Sequence, residues 1–244
     1  MTSAAAVIAA GAACGTFALS ATAAPLAPAG NPLARLTADQ IAKKAVTDLK
    51  AAASFHYHGS TKESGQTLAI SMSVTHKGCT GSIRDGSHGT VAILGIGNTV
   101  WLQPNNTFWE YVGLPASDLS AVQGKWLKTT GTGSNSVSAA FAPLCNANKL
   151  VSTLAPQLTG LVKGETIKVS GHPALQLKNS SGAESIYVSI SSKPEILRTS
   201  DNGTINFSAY GARVTLTPPP AADVITLPSG SSSANSLQRL LRGM

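Results

Sequence analysis

Two histidines on one strand have the spacing that comes nearest to a metal site. His56 and His58 flank Tyr57, and residues two apart in a strand point to the same face. Some zinc sites use such a pair, but zinc needs at least a third protein ligand. His76 and His88 are the further histidines nearby, and no pattern fixes either as that ligand. A solvated strand face explains the pair better, so we predict no metal.

Other signatures of catalysis are missing from the sequence. The nucleophile-elbow pattern Gly-x-Ser-x-Gly does not occur, and the 11 acidic residues form no pair suited to acid–base chemistry. Gly95-Ile96-Gly97 is followed by a further strand rather than a helix, which is typical of a turn and not of a phosphate-binding loop. We therefore predict a binding protein that is not an enzyme and has no cofactor.

The charge pattern argues against a nucleic-acid partner. The chain has 18 basic and 11 acidic residues, a net charge of +7, yet its longest basic run is Lys43-Lys44. Binding to phosphate backbones requires a focused basic face. Weak attraction to anionic lipids or acidic wall polymers agrees better with this dispersed charge.

Three cysteines indicate one disulfide and one odd residue. Cys79 and Cys145 lie 66 positions apart, each beside turn or loop residues. In an exported protein such a pair is expected to be bridged, which leaves Cys14 for lipidation or for removal with a leader. The alternative is a pair of buried free thiols.

The N-terminal region resembles an export signal that lacks the positively charged start such signals usually have. No Asp, Glu, Lys or Arg occurs before Arg35, and the apolar part is too short and Ala-rich to span a bilayer. Gly11-Ala12-Ala13-Cys14 is similar to a bacterial lipobox, which would make Cys14 the lipidated first residue. Cleavage after Ala21-Thr22-Ala23 is a second interpretation, and an Ala-rich disordered tail is a third.

The first half of the folded region predicts one helix and a β-meander. Thr37 and Gln40 form a capping box for a helix from Leu36 to about Ala53. From Ser54 the apolar period changes to two, as in strands. Predicted strands include the runs around Phe55-Tyr57 and Leu68-Val74, and residues 79–84, 89–94 and 98–103.

The second half predicts further strands after a helical region. A short helix is predicted over Pro115–Val122, a mobile loop over 131–138, and a helical stripe through Leu150, Leu154, Leu158 and Leu161 that Pro156 kinks or splits. Strands are predicted at 165–170, 173–178, 184–191, 195–200 and 203–209, with a final edge segment near 224–228. Close spacing and turn residues indicate an α+β fold with antiparallel strands.

Several short motifs carry a resemblance to a known family. They are Ser54–Gly59, Gly78–Ile83, Gly89–Val91, Ile96–Leu102, Phe108-Trp109 and Gly124–Lys128. Over about residues 36–227 the chain resembles the LppX/LprG-type lipoproteins of actinobacteria and, more distantly, the LolA/LolB carriers. The resemblance implies a strongly curved antiparallel half-barrel with helices covering its concave face. It also implies an apolar pocket for acyl chains and a membrane tether through lipidated Cys14.

These observations predict four regions. Residues 1–13 are a signal-peptide-like segment, 14–35 a flexible tether, 36–228 a LolA-like lipid-binding domain, and 229–244 a C-terminal tail. The protein is expected to be extracytoplasmic, either lipid-anchored at the outer face of the cytoplasmic membrane or secreted.

The predicted function is to bind or carry the acyl chain of a lipid or lipoglycan. The residues predicted to line the cavity are Leu68, Ile70, Met72, Val74, Trp101, Leu150, Leu154, Ile186, Val188 and Phe207. The alternative is an envelope sensor that binds a partner protein through residues 108–111 and the loop at 131–138.

Overall fold

The structure is a computed structural model that describes residues 31–63, 65–130, 141, 144–154, 158–201 and 203–226. The predicted leader, Cys14 and the C-terminal tail lie outside these residues, as does the loop predicted at 131–138.

Helix α1 spans Ala38–Ala51 and begins where the capping box predicts. Thr37 Oγ1 accepts a hydrogen bond from the Gln40 backbone N–H, and Gln40 Oε1 accepts one from the Thr37 N–H. These two bonds satisfy amides that the first helical turn leaves without partners. The buried stripe of the helix includes Ile41, Ala45 and Leu49.

The folded unit begins earlier than the predicted boundary at Leu36. Residues 31–35 were assigned to the tether, yet Leu33 is only 1% exposed and belongs to the hydrophobic core. Lys163 Nζ donates to the carbonyl oxygens of Leu33 and Ala34, at 3.3 and 2.9 Å. The compact unit therefore starts at Asn31.

Twelve strands form one open sheet. Their bounds are β1 Ser54–Glu63, β2 Gln66–Thr75, β3 Gly78–Asp85, β4 Thr90–Ile96, β5 Thr99–Pro104, β6 Trp126–Thr130, β7 Val162–Val169, β8 His172–Lys178, β9 Ser185–Ser189, β10 Ile196–Ser200, β11 Gly203–Ser208 and β12 Val224–Thr226. The order is β12-β6-β5-β4-β3-β2-β1-β11-β10-β9-β8-β7. The predicted meander is thus confirmed over β1 to β5, and pairing of β1 with β11 joins the two halves of the chain.

One pairing departs from the predicted antiparallel pattern. β12 pairs with β6 in parallel, with Val224 beside Trp126 and Thr226 beside Lys128. The chain between β11 and β12 therefore returns to the far edge of the sheet. β6 itself was not predicted as a strand.

The further helices are α2 Asn106–Tyr111, α3 Ala116–Val122 and α4 Ala147–Leu154. Three of the described helices, α1, α2 and α4, contribute side chains to the core on one face of this sheet. α1 contacts β7, β9, β10 and α4, while α2 contacts β4 and α3. The predicted α+β class with an open, mostly antiparallel sheet is confirmed.

Along one pair of cross-strand rows from β1 to β5, the two faces of the sheet differ in composition. We call inner face the one bearing the apolar cross-strand row Tyr57, Met72, Gly81, Ile93 and Leu102. The outer face is the opposite one and bears the row His58, Ser71, Ser82, Ala92 and Gln103. The main hydrophobic core lies on the inner face.

Candidate functional site

The inner face gathers most of the residues predicted to line a cavity. Eight of the ten belong to one hydrophobic cluster with α1 and α4: Leu68, Ile70, Met72, Val74, Leu150, Ile186, Val188 and Phe207. Alternation along β2 and β9 points these side chains the same way. The helical stripe of α4 adds Leu150 from the other side.

Burial on the inner face falls from one end of β2 to the other. Val74 and Met72 are 1% and 0% exposed, whereas Ile70 and Leu68 are only partly buried. β11 repeats this trend from buried Phe207 to partly buried Ile205. Ile70 and Ile205 both lie beside Gly59 of β1, so the partly exposed residues are neighbours. The inner face is therefore packed at one end and partly accessible near the β1–β2 turn.

Trp101 is a correction to the predicted site. It pairs with Leu94 and Lys128 on the outer face, while its neighbours Val100 and Leu102 point into the core. Trp101 is buried, but not among the inner residues. The prediction failed because Val100, Trp101 and Leu102 are all apolar, so hydrophobicity alone does not reveal which of them point inward.

The side chain of Leu154, also predicted to line the cavity, lies outside the described residues. Sequence reasoning missed three inner residues that are partly buried against the core: Ile205, Trp109 and Val112. Ile205 alternates with Phe207, and that alternation was the signal that could have found it. Trp109 and Val112 lie on and just after α2, which is too short for its apolar face to be read from sequence.

The indole N–H of Trp109 is a polar group buried among these apolar residues. Its Nε1 is buried and has no hydrogen-bond partner within the part of the chain that the structure describes. A buried donor without an acceptor costs roughly 1–3 kcal/mol. An acceptor oxygen from a bound ligand would remove that cost.

A disulfide fastens the segment before α4 to the inner face. Cys79 of β3 is bonded to Cys145, which confirms the predicted bridge. A Cβ at Gly95 would lie 3.3 Å from each sulfur, so the neighbouring strand leaves just enough room for the bridge. Tyr57 Oη donates to the Leu144 carbonyl at 2.9 Å, and burial raises the pKa of this phenol far above its ordinary value.

The histidine pair lies on the outer face. His56 Nδ1 is 3.0 Å from Ser73 Oγ, and its ring stacks on His58 with centroids 5.6 Å apart. Within the described ranges no cluster of three His, Cys, Asp or Glu side chains could hold a metal ion. His56 can respond to protons, because burial and, second, the neighbouring His58 lower the pKa of His56 below its ordinary value of 6.5.

This shift predicts a loss of stability in mild acid. The unfolded chain takes up a proton at His56 near pH 6.5, while the folded chain resists it, so unfolding is favoured as pH falls below 6.5. We expect His56→Gln to weaken the fall of the urea midpoint between pH 7.5 and pH 5. His58→Gln removes only the smaller cause of the lowered pKa, the His58 charge, and should therefore weaken the fall of the urea midpoint less. Equal slopes for parent and His56→Gln would contradict the assignment.

The aromatic segment at 108–111 divides between core and surface. Phe108 is 1% exposed and Trp109 is partly buried, so neither is free to dock a partner. Tyr111 is 50% exposed and stacks on His88 at 3.9 Å, and His88 Nδ1 lies 3.0 Å from the buried Asp85 carboxylate. Within 108–111 this leaves one exposed aromatic ring, and the other predicted part of the docking edge, the loop at 131–138, lies outside the described residues.

Searches with the sequence matched no family model and no curated protein. The chain is similar in structure to LprF from Mycobacterium bovis. The two share 11% identity at a TM-score of 0.49, over 75% of this chain and 96% of LprF. An uncharacterized conserved protein from Thermus thermophilus is also similar in structure, with 12% sequence identity and a TM-score of 0.38. The match covers 78% of this chain and 99% of that protein. A DUF1329 family protein from Desulfovibrio piger shares 10% sequence identity at a TM-score of 0.26. The match covers 73% of this chain and 93% of that protein.

No site residue is transferred from these proteins to this chain. None of the helices in the described part of the chain is long and apolar enough to cross a membrane.

Proposed function

We propose that this chain is an envelope lipoprotein that binds or carries the acyl chain of a lipid or lipoglycan against its inner face. The observation that carries the proposal is the accessible end of the inner core. There Leu68, Ile70 and Ile205 remain partly exposed beside one another, although Met72, Val74 and Phe207 further along the same strands are buried. Extending an existing core with a hydrocarbon chain gains roughly 25 cal/mol for each Å² of apolar surface removed from water.

The chemistry of this end suits a lipid better than a polar metabolite. The described inner side chains of β1 and β11 and of Leu68–Val74 on β2 include no charged group. The Trp109 N–H, which has no partner among the described residues, offers one donor, which matches an ester or amide oxygen near the head of a lipid. Asp85, the cross-strand neighbour of Leu68, places a buried carboxylate beside that residue. Such a site selects an apolar body with a polar end.

The proposal includes an anchor. Lipidation at Cys14 would tether the folded unit, which starts at Asn31, by a short chain to the outer face of the cytoplasmic membrane. A protein held there would meet lipids as they leave the bilayer. Within the described residues, the large exposed apolar side chains Tyr111 and Val162 lie on separate elements and form no flat patch, which supports lipid binding over a sensor that docks a protein.

The test uses the full chain made in an actinobacterial host and native mass spectrometry of the purified protein. We expect co-purified lipid on the parent and at least roughly tenfold less on Ile70→Asp, because burying a charge beside an acyl chain is costly. Thr67→Asp adds the same charge to the exposed outer side of β2 and should keep the lipid.

A second variant separates occlusion from charge. Ile205→Trp fills the accessible end without adding charge and should also lose the lipid, with an unchanged mass at Cys14. A parent protein without bound lipid, or an Ile205→Trp protein that retains the parent's amount, would overturn the proposal.

A further inference from the structure

The outer face carries a continuous row of polar side chains. Seven cross-strand neighbours on β3, β2, β1, β11, β10, β9 and β8 form this polar row: Ser82, Ser71, His58, Asn206, Arg198, Tyr187 and Gln176. At about 4.8 Å between strands, the row is roughly 29 Å long. Each member can donate or accept hydrogen bonds.

A second row runs beside the first over the same seven strands. It consists of Arg84, Ala69, Ser60, Thr204, Ser200, Ser185 and Lys178. The two rows together hold two arginines, one lysine and one histidine, and neither contains Asp or Glu. The face therefore combines positive charge with a dense set of hydroxyl groups.

The four side chains of the polar row on β8 to β11 are already held in place by contacts with their neighbours. Arg198 Nε donates to Asn206 Oδ1 at 2.9 Å, and Arg198 Cζ lies 5.8 Å from the centre of the Tyr187 ring. Gln176 Nε2 donates to Ser185 Oγ at 3.1 Å and to Tyr187 Oη at 3.3 Å. The Asn206 bond uses one of the five N–H groups of a guanidinium. A fixed, planar donor set of this kind is suited to a carboxylate or sulfate.

We infer that the outer face binds an acidic polysaccharide laid across the strands along the polar row. A linear glycan presents hydroxyl groups along its length, which match the Ser, Asn, Gln and Tyr side chains. Its acid groups match the charge of Arg84, Lys178 and Arg198, which no carboxylate in either row offsets. This surface is opposite the proposed lipid site and uses none of its residues.

Two other polyanionic partners fit the rows less well. Single-stranded nucleic acid is held by several aromatic rings that stack on bases, and the rows offer only Tyr187. A bilayer surface is held by apolar side chains that enter it, and the rows offer none larger than Ala69 apart from that same ring.

The experiment is calorimetric titration of the full chain with oligogalacturonate, with the fully methyl-esterified oligosaccharide as its uncharged match. We expect the acid form to bind and the ester to bind at least roughly tenfold more weakly. Arg198→Ala should weaken binding roughly tenfold, as for loss of a charged hydrogen bond. Lys50→Ala makes the same charge change on the exposed side of α1 and should stay within about twofold of the parent.

A second variant guards against misfolding. Arg84 is exposed, so Arg84→Ala should weaken binding while the urea midpoint is unchanged. The inference is overturned if the ester binds as well as the acid, or if Lys50→Ala loses as much affinity as Arg198→Ala. Tighter binding to single-stranded DNA or to phosphatidylglycerol vesicles than to oligogalacturonate would also overturn it.

Discussion

Replacing Cys79 and Cys145 together with alanine is expected to lower the free energy of unfolding by about 4 kcal/mol. The bridge joins residues 66 positions apart, so it restricts a long loop of the unfolded chain. In the folded state both residues belong to or pack against the core. Urea unfolding followed by tryptophan fluorescence measures the change.

Two controls isolate the bridge from side-chain packing. Reductant should bring the parent close to the double variant and leave the double variant unaffected. Cys14→Ala keeps the bridge and should unfold at the parent's midpoint. A double variant within about 1 kcal/mol of the parent would mean that the bridge does not limit the unfolded chain as the entropy model requires.

The same bridge links stability to the proposed lipid site. Cys145 lies just before α4, and Leu150 of α4 packs against the inner core. The Tyr57–Leu144 hydrogen bond is the other tie on this segment. Removing the disulfide should therefore loosen the cover of the inner face and reduce bound lipid, beyond the loss of stability.

Local signals account for what the sequence predicted well. Thr37 and Gln40 are three positions apart, so the start of α1 depends on neighbours along the chain. The alternation from Leu68 to Val74 and the tight turns between β1 and β5 likewise act over a few residues. The cysteine pair was found by parity, because an exported chain favours a bridge over two free thiols.

Long-range pairing accounts for what the sequence did not predict. β6 and β12 pair over only three residues that are far apart in the chain, and no local pattern marks them. Whether Trp101 points inward depends on its pairing with Leu94, since three apolar residues in succession fit either face. The polar row on the outer face exists only because β1 pairs with β11. Four of its seven members lie on β8 to β11, far in sequence from the three on β1 to β3.

Phe55→Ala is expected to lower the free energy of unfolding by about 3–5 kcal/mol, the usual cost of removing a buried ring. Phe55 is 1% exposed, and its ring centroid lies 6.2 Å from those of Tyr57 and Tyr210 and 6.3 Å from that of Phe207. The backbone beside it is also fixed, since the Gly211 N–H donates to the Ser54 carbonyl. A cavity at this point has little freedom to collapse.

Tyr111→Ala is the matched control, because it also deletes a ring but from a site that is 50% exposed, and it should cost less than about 1 kcal/mol. Phe55 lies at the packed end of the inner face, opposite the accessible end at Ile70. If lipid enters at the accessible end, Phe55→Ala should lower stability strongly and still retain lipid under native conditions. Ile205→Trp should lose the lipid and leave the stability of the fold largely unchanged. Loss of lipid from both variants in equal measure would mean that the whole inner face, rather than its accessible end, determines binding.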